Sequence, residues 1–200
     1  MEDIVEANKP LLAQFFAQGT TTVEVKSGYG LSLDDELKCL RAIQELQRNF
    51  ADKLTIVPTF MGAHAIPKEY KEKKQEYIDL ICQVMIPEVA KQKLATYCDV
   101  FCENGYFDAS ESEQILLTAK QHGLRIRLHA DEFVDSGGAL LAAKLNADSA
   151  DHLMAVSDAG IEAMAKTEVI PIILPGTTIF LGKVNSCCPI GVVLCIMVFV

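Results

Sequence analysis

Two spacings of hydrophobic residues alternate along the chain. Between Leu33 and Phe50, apolar residues recur every three or four positions, which is the spacing of one helical face. Shorter segments that are rich in β-branched and apolar residues, such as 54–61 and 124–129, have the pattern of strands. The pattern predicts six strands, at 20–26, 54–61, 99–103, 124–129, 147–151 and 169–174, and helices at 33–50, 75–93, 112–122, 137–145 and 158–166.

Proline and serine positions refine the predicted helices. Pro87 lies inside the second predicted helix and is expected to interrupt it, because proline cannot donate a backbone hydrogen bond. Serines stand near four helix starts, where a hydroxyl can accept from an unpaired amide. Two of them, Ser32 with Asp35 and Ser110 with Glu113, have the spacing of a capping box. The four serines are Ser32, Ser110, Ser136 and Ser157.

The alternation of strands and helices predicts parallel βαβ units. Neighbouring side chains on a strand point to opposite faces, and here one face is apolar while the other is charged. A doubly wound sheet would have continuous apolar strands instead, so we expect an incomplete (β/α)8 barrel of the TIM type, with about six βα units. An antiparallel sheet with one face in water is the alternative. The same alternation places Asp148, Ala150 and His152 together on the polar face. The charged residues expected inside the barrel are Glu24, Lys26, Asp99, Glu103, Arg125 and Arg127.

The composition argues against some partners and favours a reducing compartment. The 200 residues carry a net charge of −9, so a nucleic-acid partner, which requires a basic face, is not expected. No basic region precedes an apolar stretch at the acidic N-terminus, so we expect no signal peptide. The apolar end of the chain is too short to span a membrane. The seven cysteines form no Cys-x-x-Cys pair, which fits buried free thiols in a cytoplasmic protein.

Three of the four histidines, His64, His129 and His152, stand at predicted strand ends. In a (β/α)8 barrel the chemical groups project from the C-terminal ends of the strands. His129 is followed three residues later by Glu132, and this pair is suited to binding a metal ion and to accepting a proton from water. His152 is expected to act as a second acid or base. Three buried histidines with purely structural roles are the alternative.

A glycine-flanked turn, Ser27-Gly28-Tyr29-Gly30, follows the first predicted strand. A tight connecting loop is the simplest interpretation, because glycine allows sharp backbone turns. The turn also places the phenol of Tyr29 at the same end of the strands as the histidines. There it is suited to binding a substrate carboxylate.

Five segments in order along the chain carry a specific likeness. They are VKSGYGL at 25–31, FMGAHAIP at 60–67, CDVFCE at 98–103, HADEF at 129–133 and SADHL at 149–153. Together they closely resemble the imidazolonepropionase family of the amidohydrolase superfamily, over about Ile4 to Lys183. The resemblance implies a metal-dependent barrel hydrolase that opens the ring of 4-imidazolone-5-propanoate to N-formimino-L-glutamate in histidine degradation.

The resemblance also implies roles for individual residues and a cofactor. His129 resembles the metal-ligand histidine of the middle strands, in a family that uses one zinc or iron ion. Glu132 resembles the carboxylate that contacts the substrate and the nucleophilic water, and His152 resembles the histidine that assists proton transfer. Tyr29 and His64 resemble the residues that hold the propionate and the ring of the substrate. A homodimer is implied as well.

The sequence departs from the family pattern at both ends. It contains no His-x-His pair for the first barrel strand and no metal-binding Asp of the last strand, so we expect a barrel that is truncated at both ends. Residues 1–183 form the expected partial barrel domain, and residues 184–200 form an apolar tail unlike the family, for which an out-of-frame end is one hypothesis. Two alternatives follow: another amidohydrolase-superfamily deaminase or cyclic amidase, and an inert barrel that at most associates with a full-length copy.

Overall fold

The computed structural model describes residues 1–182, 193–194 and 197–199. The chain divides into two compact units. Of the described residues, the first unit contains 1–98 and 197–199, and the second unit contains 99–182 and 193–194. The boundary falls inside strand β3 (Tyr97–Cys102).

The first unit is built from three parallel strands and their helices. Helix α2 (Leu33–Asn49) buries its apolar stripe completely at Leu40, Ile43 and Leu46, as the spacing predicts. Ser32 caps this helix by accepting from the Asp35 amide. Strand β1 (Thr22–Lys26) pairs in parallel with β2 (Thr55–Ala63) and with β8 (Met197–Phe199). The elements of this unit are α1 (Glu2–Ala17), β1 (Thr22–Lys26), α2 (Leu33–Asn49), β2 (Thr55–Ala63), a 3-10 turn (Lys68–Tyr70), α3 (Lys74–Leu80), α4 (Ile86–Lys91) and β8 (Met197–Phe199).

Helix α1 was not predicted from the sequence. It carries Pro10 in its interior and buries only Val5 and Leu12, so its apolar residues do not form a clear stripe. The predicted interruption near Pro87 is present, but it lies just before the proline. A π-helical turn at Ile81–Met85 separates α3 from α4. Pro87 has no backbone N–H to donate to this turn, so the regular ladder of α-helical hydrogen bonds is interrupted there.

The second unit continues the parallel pattern. Its strands follow the order β3, β4 (Arg125–Ala130), β5 (Ser149–His152), β6 (Ile170–Ile173) and β7 (Val193–Leu194). The pairs β4–β5, β5–β6 and β6–β7 are parallel. The elements that begin in this unit are α5 (Ala109–Gln121), β4 (Arg125–Ala130), α6 (Gly138–Leu145), β5 (Ser149–His152), α7 (Asp158–Met164), β6 (Ile170–Ile173), α8 (Pro175–Phe180) and β7 (Val193–Leu194).

Two helix starts in this unit differ from the predicted ones. Helix α5 begins earlier than expected, and its capping box joins Asp108 and Glu111, not Ser110 and Glu113. An aspartate side chain caps a helix as well as serine does, so the earlier residue satisfies the first amides. Helix α6 has Gly137 at its N-cap, while the predicted Ser157 cap of α7 is confirmed.

Six strands, β1 to β6, are each followed by a helix, and this repeat confirms the predicted fold class, an incomplete (β/α)8 barrel of the TIM type. Among residues 1–182, no helix is long and apolar enough to cross a membrane. The predicted division at residue 183 stays a prediction. Most of the predicted tail, namely 184–192, 195–196 and 200, lies outside the residues that the structure describes.

The predicted charged interior is confirmed in part. Lys26 and Glu24 are buried and form an ion pair of 3.1 Å between Nζ and Oε2. The predicted interior position of Arg125 is wrong, because its side chain is 62% exposed and pairs with Asp148. It is the first residue of β4, so it lies at the open end of the strand and reaches water.

The prediction of which β5 residues lie on the polar face is wrong, because the alternation is shifted by one position. His129 on β4 is paired with Asp151 on β5, and Arg127 is paired with Ser149. Paired residues of parallel strands point to the same face of a sheet. The polar face therefore carries Ser149 and Asp151 in place of Asp148, Ala150 and His152.

Candidate active site

A histidine and two aspartates form a buried cluster in the second unit. Asp99, His129 and Asp151 come from β3, β4 and β5, and all three are buried. One ligand atom from each residue lies within 4.8 Å of the other two. Because parallel strands in register bring equivalent positions side by side, three distant residues of the sequence become neighbours here.

The histidine of this cluster is oriented by one aspartate. Nδ1 of His129 lies 3.1 Å from Oδ1 of Asp99, which is hydrogen-bond distance. A neutral imidazole that donates through Nδ1 keeps its lone pair on Nε2. The Ser149 hydroxyl donates to Oδ1 of Asp151 at 2.9 Å, so the second aspartate is also held in place.

The donor types in this cluster fit a metal ion. Imidazole nitrogen and carboxylate oxygen are ligands of both zinc and iron sites in proteins. A carboxylate that accepts from the second ring nitrogen of a ligand histidine is a frequent outer partner at such sites. The geometry therefore supports His129 as a ligand through Nε2, Asp99 as its orienting partner and Asp151 as a further oxygen donor.

A second pair of titratable groups lies beside this cluster. Nδ1 of His152 is 3.6 Å from Oε1 of Glu132, which is ion-pair range but longer than a hydrogen bond. The rings of His152 and His129 have centroids 5.0 Å apart. Both Glu132 and His152 are buried. The arrangement brings an acid and a base together, next to the candidate metal ligand.

The backbone at His152 explains how this side chain reaches the cluster. Its φ is +78°, in the left-handed region that residues with a Cβ rarely adopt. His152 is the last residue of β5, so the departure from extended geometry redirects its side chain away from the alternation of the strand. Strained backbone of this kind often accompanies functional sites.

The loop that carries Glu132 is anchored by two buried carboxylates. Asp131 accepts from the amides of Gly138 and Ala139, each at 2.9 Å, and also from Ser136. Glu103 accepts from the Phe133 amide at 2.7 Å. The backbone on both sides of Glu132 is thus held by hydrogen bonds to charged groups, which are stronger than neutral ones.

The remaining predicted site residues lie in the first unit. Tyr29 and His64 pack edge to face, with ring centroids 4.9 Å apart. Nδ1 of His64 is 2.9 Å from the carbonyl oxygen of Gly28. This imidazole and phenol therefore form a second group of polar aromatic side chains.

The sequence analysis assigned site roles to five of these residues and to neither of the other two, and these roles stay predictions. His129, Glu132 and His152 lie together in the second unit, and Tyr29 and His64 lie together in the first unit. Asp99 was predicted only as an interior charge, and Asp151 was assigned to the opposite face of its strand. The available signal was an acidic residue within each of the two strands that flank the strand of His129, at Asp99 and Asp151.

Comparisons with known proteins place this geometry in context. No family model matches the chain. Among solved structures, the Arabidopsis N6-mAMP deaminase MAPDA superposes with a TM-score of 0.68 at 13% identity, covering 96% of this chain and 61% of that one. An adenine deaminase from Arthrobacter aurescens superposes with a TM-score of 0.63 at 14% identity, covering 90% and 55%. The likeness supports the fold.

The fold and the buried group of Asp99, His129 and Asp151 define an incomplete (β/α)8 barrel with a candidate metal site. Similar sequences then give the family. The chain is 49% identical over 178 residues to the imidazolonepropionase of Alkaliphilus oremlandii and 51% identical over 180 residues to that of Brevibacillus brevis, about 90% of its length in each case. The chain belongs to the imidazolonepropionase family, and it spans 42% of the length of these two relatives.

Proposed function

We propose that this chain carries residues for the hydrolytic ring opening of 4-imidazolone-5-propanoate to N-formimino-L-glutamate. In this reaction the oxygen of water adds to the ring carbonyl carbon, and the bond from that carbon to the adjacent ring nitrogen breaks. The carbon becomes a carboxylate and the nitrogen keeps a proton as the formimino group. The observation that carries the proposal is the grouping of His129, Glu132 and His152, in a chain related to imidazolonepropionases.

Zinc or iron, when bound, lowers the pKa of a water and polarises the carbonyl that is attacked. His129 would hold this ion through Nε2, since Nδ1 faces Asp99. Asp151 would add a carboxylate oxygen from the neighbouring strand. The donor set supports a metal of the zinc or iron type, because both accept imidazole and carboxylate ligands.

Glu132 is proposed to move the proton that the reaction requires. Its carboxylate accepts a proton from the attacking water and returns it to the departing ring nitrogen. His152, at 3.6 Å from Glu132, assists by stabilising the negative charge that develops on the carbonyl oxygen. A positioned acid–base group of this kind contributes about 10²- to 10⁴-fold to the rate of a reaction.

Tyr29 and His64 are proposed to bind the substrate. The phenol donates a hydrogen bond to the propionate, and the imidazole contacts the ring. Their mutual packing and the hydrogen bond of His64 to the turn support a joint role. A carboxylate arm bound by a donor in this way would distinguish the substrate from rings that lack the acid.

The cellular setting is also a proposal. Among the residues that the structure describes, Cys39 and Cys102 are free and buried, which suits a reducing compartment such as the cytoplasm. A homodimer is proposed from the family resemblance alone. Neither nucleic acid nor a membrane is proposed as a partner.

The test is a turnover assay of the purified chain, supplied with zinc or with iron, on 4-imidazolone-5-propanoate. We expect loss of the imidazolone absorbance together with one formimino-glutamate per substrate. An N6-methyladenine nucleotide and a cyclic amide without a carboxylate arm serve as comparison substrates. Metal bound at one ion per chain without turnover of the imidazolone would contradict the proposal, and it would favour a barrel without catalytic activity.

A further inference from the structure

The turn that presents Tyr29 adopts an unusual backbone. Gly28 has a φ of +125° and Leu31 has a φ of +53°, and the second value is uncommon for a residue with a branched side chain. A Cβ added at Gly30 would lie 2.7 Å from the backbone nitrogen of Glu36. The turn is therefore pressed directly against the first turn of α2, and an atom or group must hold it there.

Glu36 is the group that meets this turn. Its Oε1 accepts from the amides of Gly30 at 2.9 Å and Leu31 at 3.0 Å. Its side chain is on the buried face of α2, and the residue is 1% exposed. Burial raises the pKa of the Glu36 carboxyl, and hydrogen bonds from Ser27 and from the turn amides oppose that rise.

The opposite side of the same turn contacts the proposed substrate residues. The Gly28 carbonyl oxygen is 2.9 Å from Nδ1 of His64, and Tyr29 packs its ring edge to face on His64. Tyr29 is 67% exposed, so the backbone of the turn largely determines where its phenol lies. A chain of contacts thus runs from Glu36 through the turn to the two aromatic side chains.

We propose that Glu36 is a positioning residue, which holds Tyr29 and His64 in the arrangement that recognises a planar nitrogen heterocycle bearing a short carboxylate arm. This inference rests on the proposed function for the identity of the ligand, but the contacts of Glu36 stand without it. Backbone outside the common regions persists when surrounding structure holds it. Glu36 supplies that hold through two hydrogen bonds.

The chemistry of the carboxyl gives a selective test. Glu36→Gln keeps an oxygen that can accept from both turn amides, whereas Glu36→Ala removes it. If Glu36 acts by accepting hydrogen bonds from the turn amides, the glutamine variant keeps the turn conformation and the alanine variant loses it. A residue that contributed only to packing of α2 would not show this split, since both substitutions change the buried side chain.

The first measurement is proton NMR of the full chain, which has only four histidines and therefore few imidazole signals. Contact between the Tyr29 and His64 rings is followed by their nuclear Overhauser effect, with His64 assigned from a His64→Gln variant. We expect the effect in the wild type and in Glu36→Gln, and its loss in Glu36→Ala. Asp34→Ala, at an exposed position of the same helix, is the matched control and should retain it.

The second measurement is affinity for imidazole-4-propionate, compared with 4-methylimidazole as the ring without the acid. Glu36→Ala should weaken binding of the acid by about tenfold or more, the usual size for a hydrogen bond to a charged group, and should leave the acid-free ring nearly unchanged. The double variant Glu36→Ala/Tyr29→Phe should bind imidazole-4-propionate as strongly as whichever single variant has the lower affinity. The two losses should not add, because Glu36 acts through Tyr29. Ile43→Val, which trims the buried core of α2, controls for lost stability.

The outcomes separate this inference from the proposed function. Retention of the Tyr29–His64 contact in Glu36→Ala, its loss in Ile43→Val, or equal weakening in Glu36→Gln and Glu36→Ala would each overturn the positioning role. If the wild type shows the contact but does not bind imidazole-4-propionate, the proposed substrate recognition fails. The contact data from the variants then still decide whether Glu36 positions the pair.

Discussion

His129 and Asp151 are paired in register on neighbouring parallel strands, β4 and β5, so their side chains emerge on the same face. Asp99 on β3 contacts the same imidazole through Nδ1. One histidine is therefore flanked by a carboxylate from the strand before it and one from the strand after it. This arrangement leads to a first prediction about how the imidazole is held.

Asp99→Ala should weaken zinc binding by about 10- to 100-fold, because outer partners of ligand histidines typically contribute that much to metal affinity. The alanine removes the acceptor that orients the His129 ring. The measurement is a titration of Zn²⁺ against a competing chelator. Asp148→Ala changes a partly exposed carboxylate that pairs with Arg125, and it should leave zinc affinity within about twofold. Equal losses in the two variants would contradict the orienting role of Asp99.

Glu132→Gln should lower turnover of the imidazolone by about 10²- to 10⁴-fold, the usual contribution of a general acid–base group. The amide cannot accept the proton of the attacking water, but it keeps the size of the side chain. Metal content, measured by elemental mass spectrometry, should not change. Glu162→Gln on the exposed face of α7 makes the same chemical change as a control. Turnover near the wild-type rate in Glu132→Gln would remove this residue from proton transfer.

Asp131→Ala should lower the free energy of unfolding by about 2–3 kcal/mol. The aspartate accepts from the amides of Ser136, Gly138 and Ala139, and loss of a charged acceptor for buried donors costs about this much. Urea unfolding followed by circular dichroism measures the change. Asp135→Ala, exposed in the same loop, should cost less than about 0.5 kcal/mol. A similar small loss in Asp131→Ala would show that the cap contributes little.

Glu36 should make stability depend on pH in a defined direction. Burial raises the pKa of its carboxyl above the usual value of 4.5. As the pH rises, the unfolded state therefore loses the proton of this carboxyl at a lower pH than the folded state does. Its contribution to stability is fully present below pH 4.5 and is lost as the pH rises through the raised pKa. Glu36→Gln, which never ionises, lacks this loss.

Urea unfolding of the wild type and of Glu36→Gln at several pH values between about 4 and 8 measures the difference. The stability of the variant relative to the wild type should increase with rising pH over this range. All other titratable groups are common to the two proteins, so their contributions cancel in the comparison. A constant difference across the range would contradict the raised pKa.

The sequence pattern predicted elements whose local spacing is unambiguous. Helix α2 was predicted within one residue of its bounds (Leu33–Asn49), because its apolar stripe is regular and long. The strand-end positions of His129 and His152 followed from short β-branched and apolar segments between helices. These features depend on neighbouring residues alone, so the sequence contains them.

Other features depend on partners far away in the chain. The face of β5 was predicted wrongly, since alternation in a strand of four residues allows two phases and only the register with β4 selects one. The positive φ of His152 could not be predicted, because histidine has a Cβ and has no strong preference for the left-handed region. Asp99 and Asp151 lie beside His129 only because strands distant in the sequence are neighbours in the sheet. Nothing in the regular amphipathic pattern of α2 indicated the contacts of Glu36.

Asp131 does more than satisfy the first amides of α6. By joining the end of β4 to that helix, it makes the opening of one depend on the opening of the other. Local unfolding in proteins occurs in cooperative segments of this kind. The rate of hydrogen exchange of the first amides of α6 should therefore measure how often the loop opens at Asp131. Glu132 is the next residue, so each opening would also move its side chain away from His152.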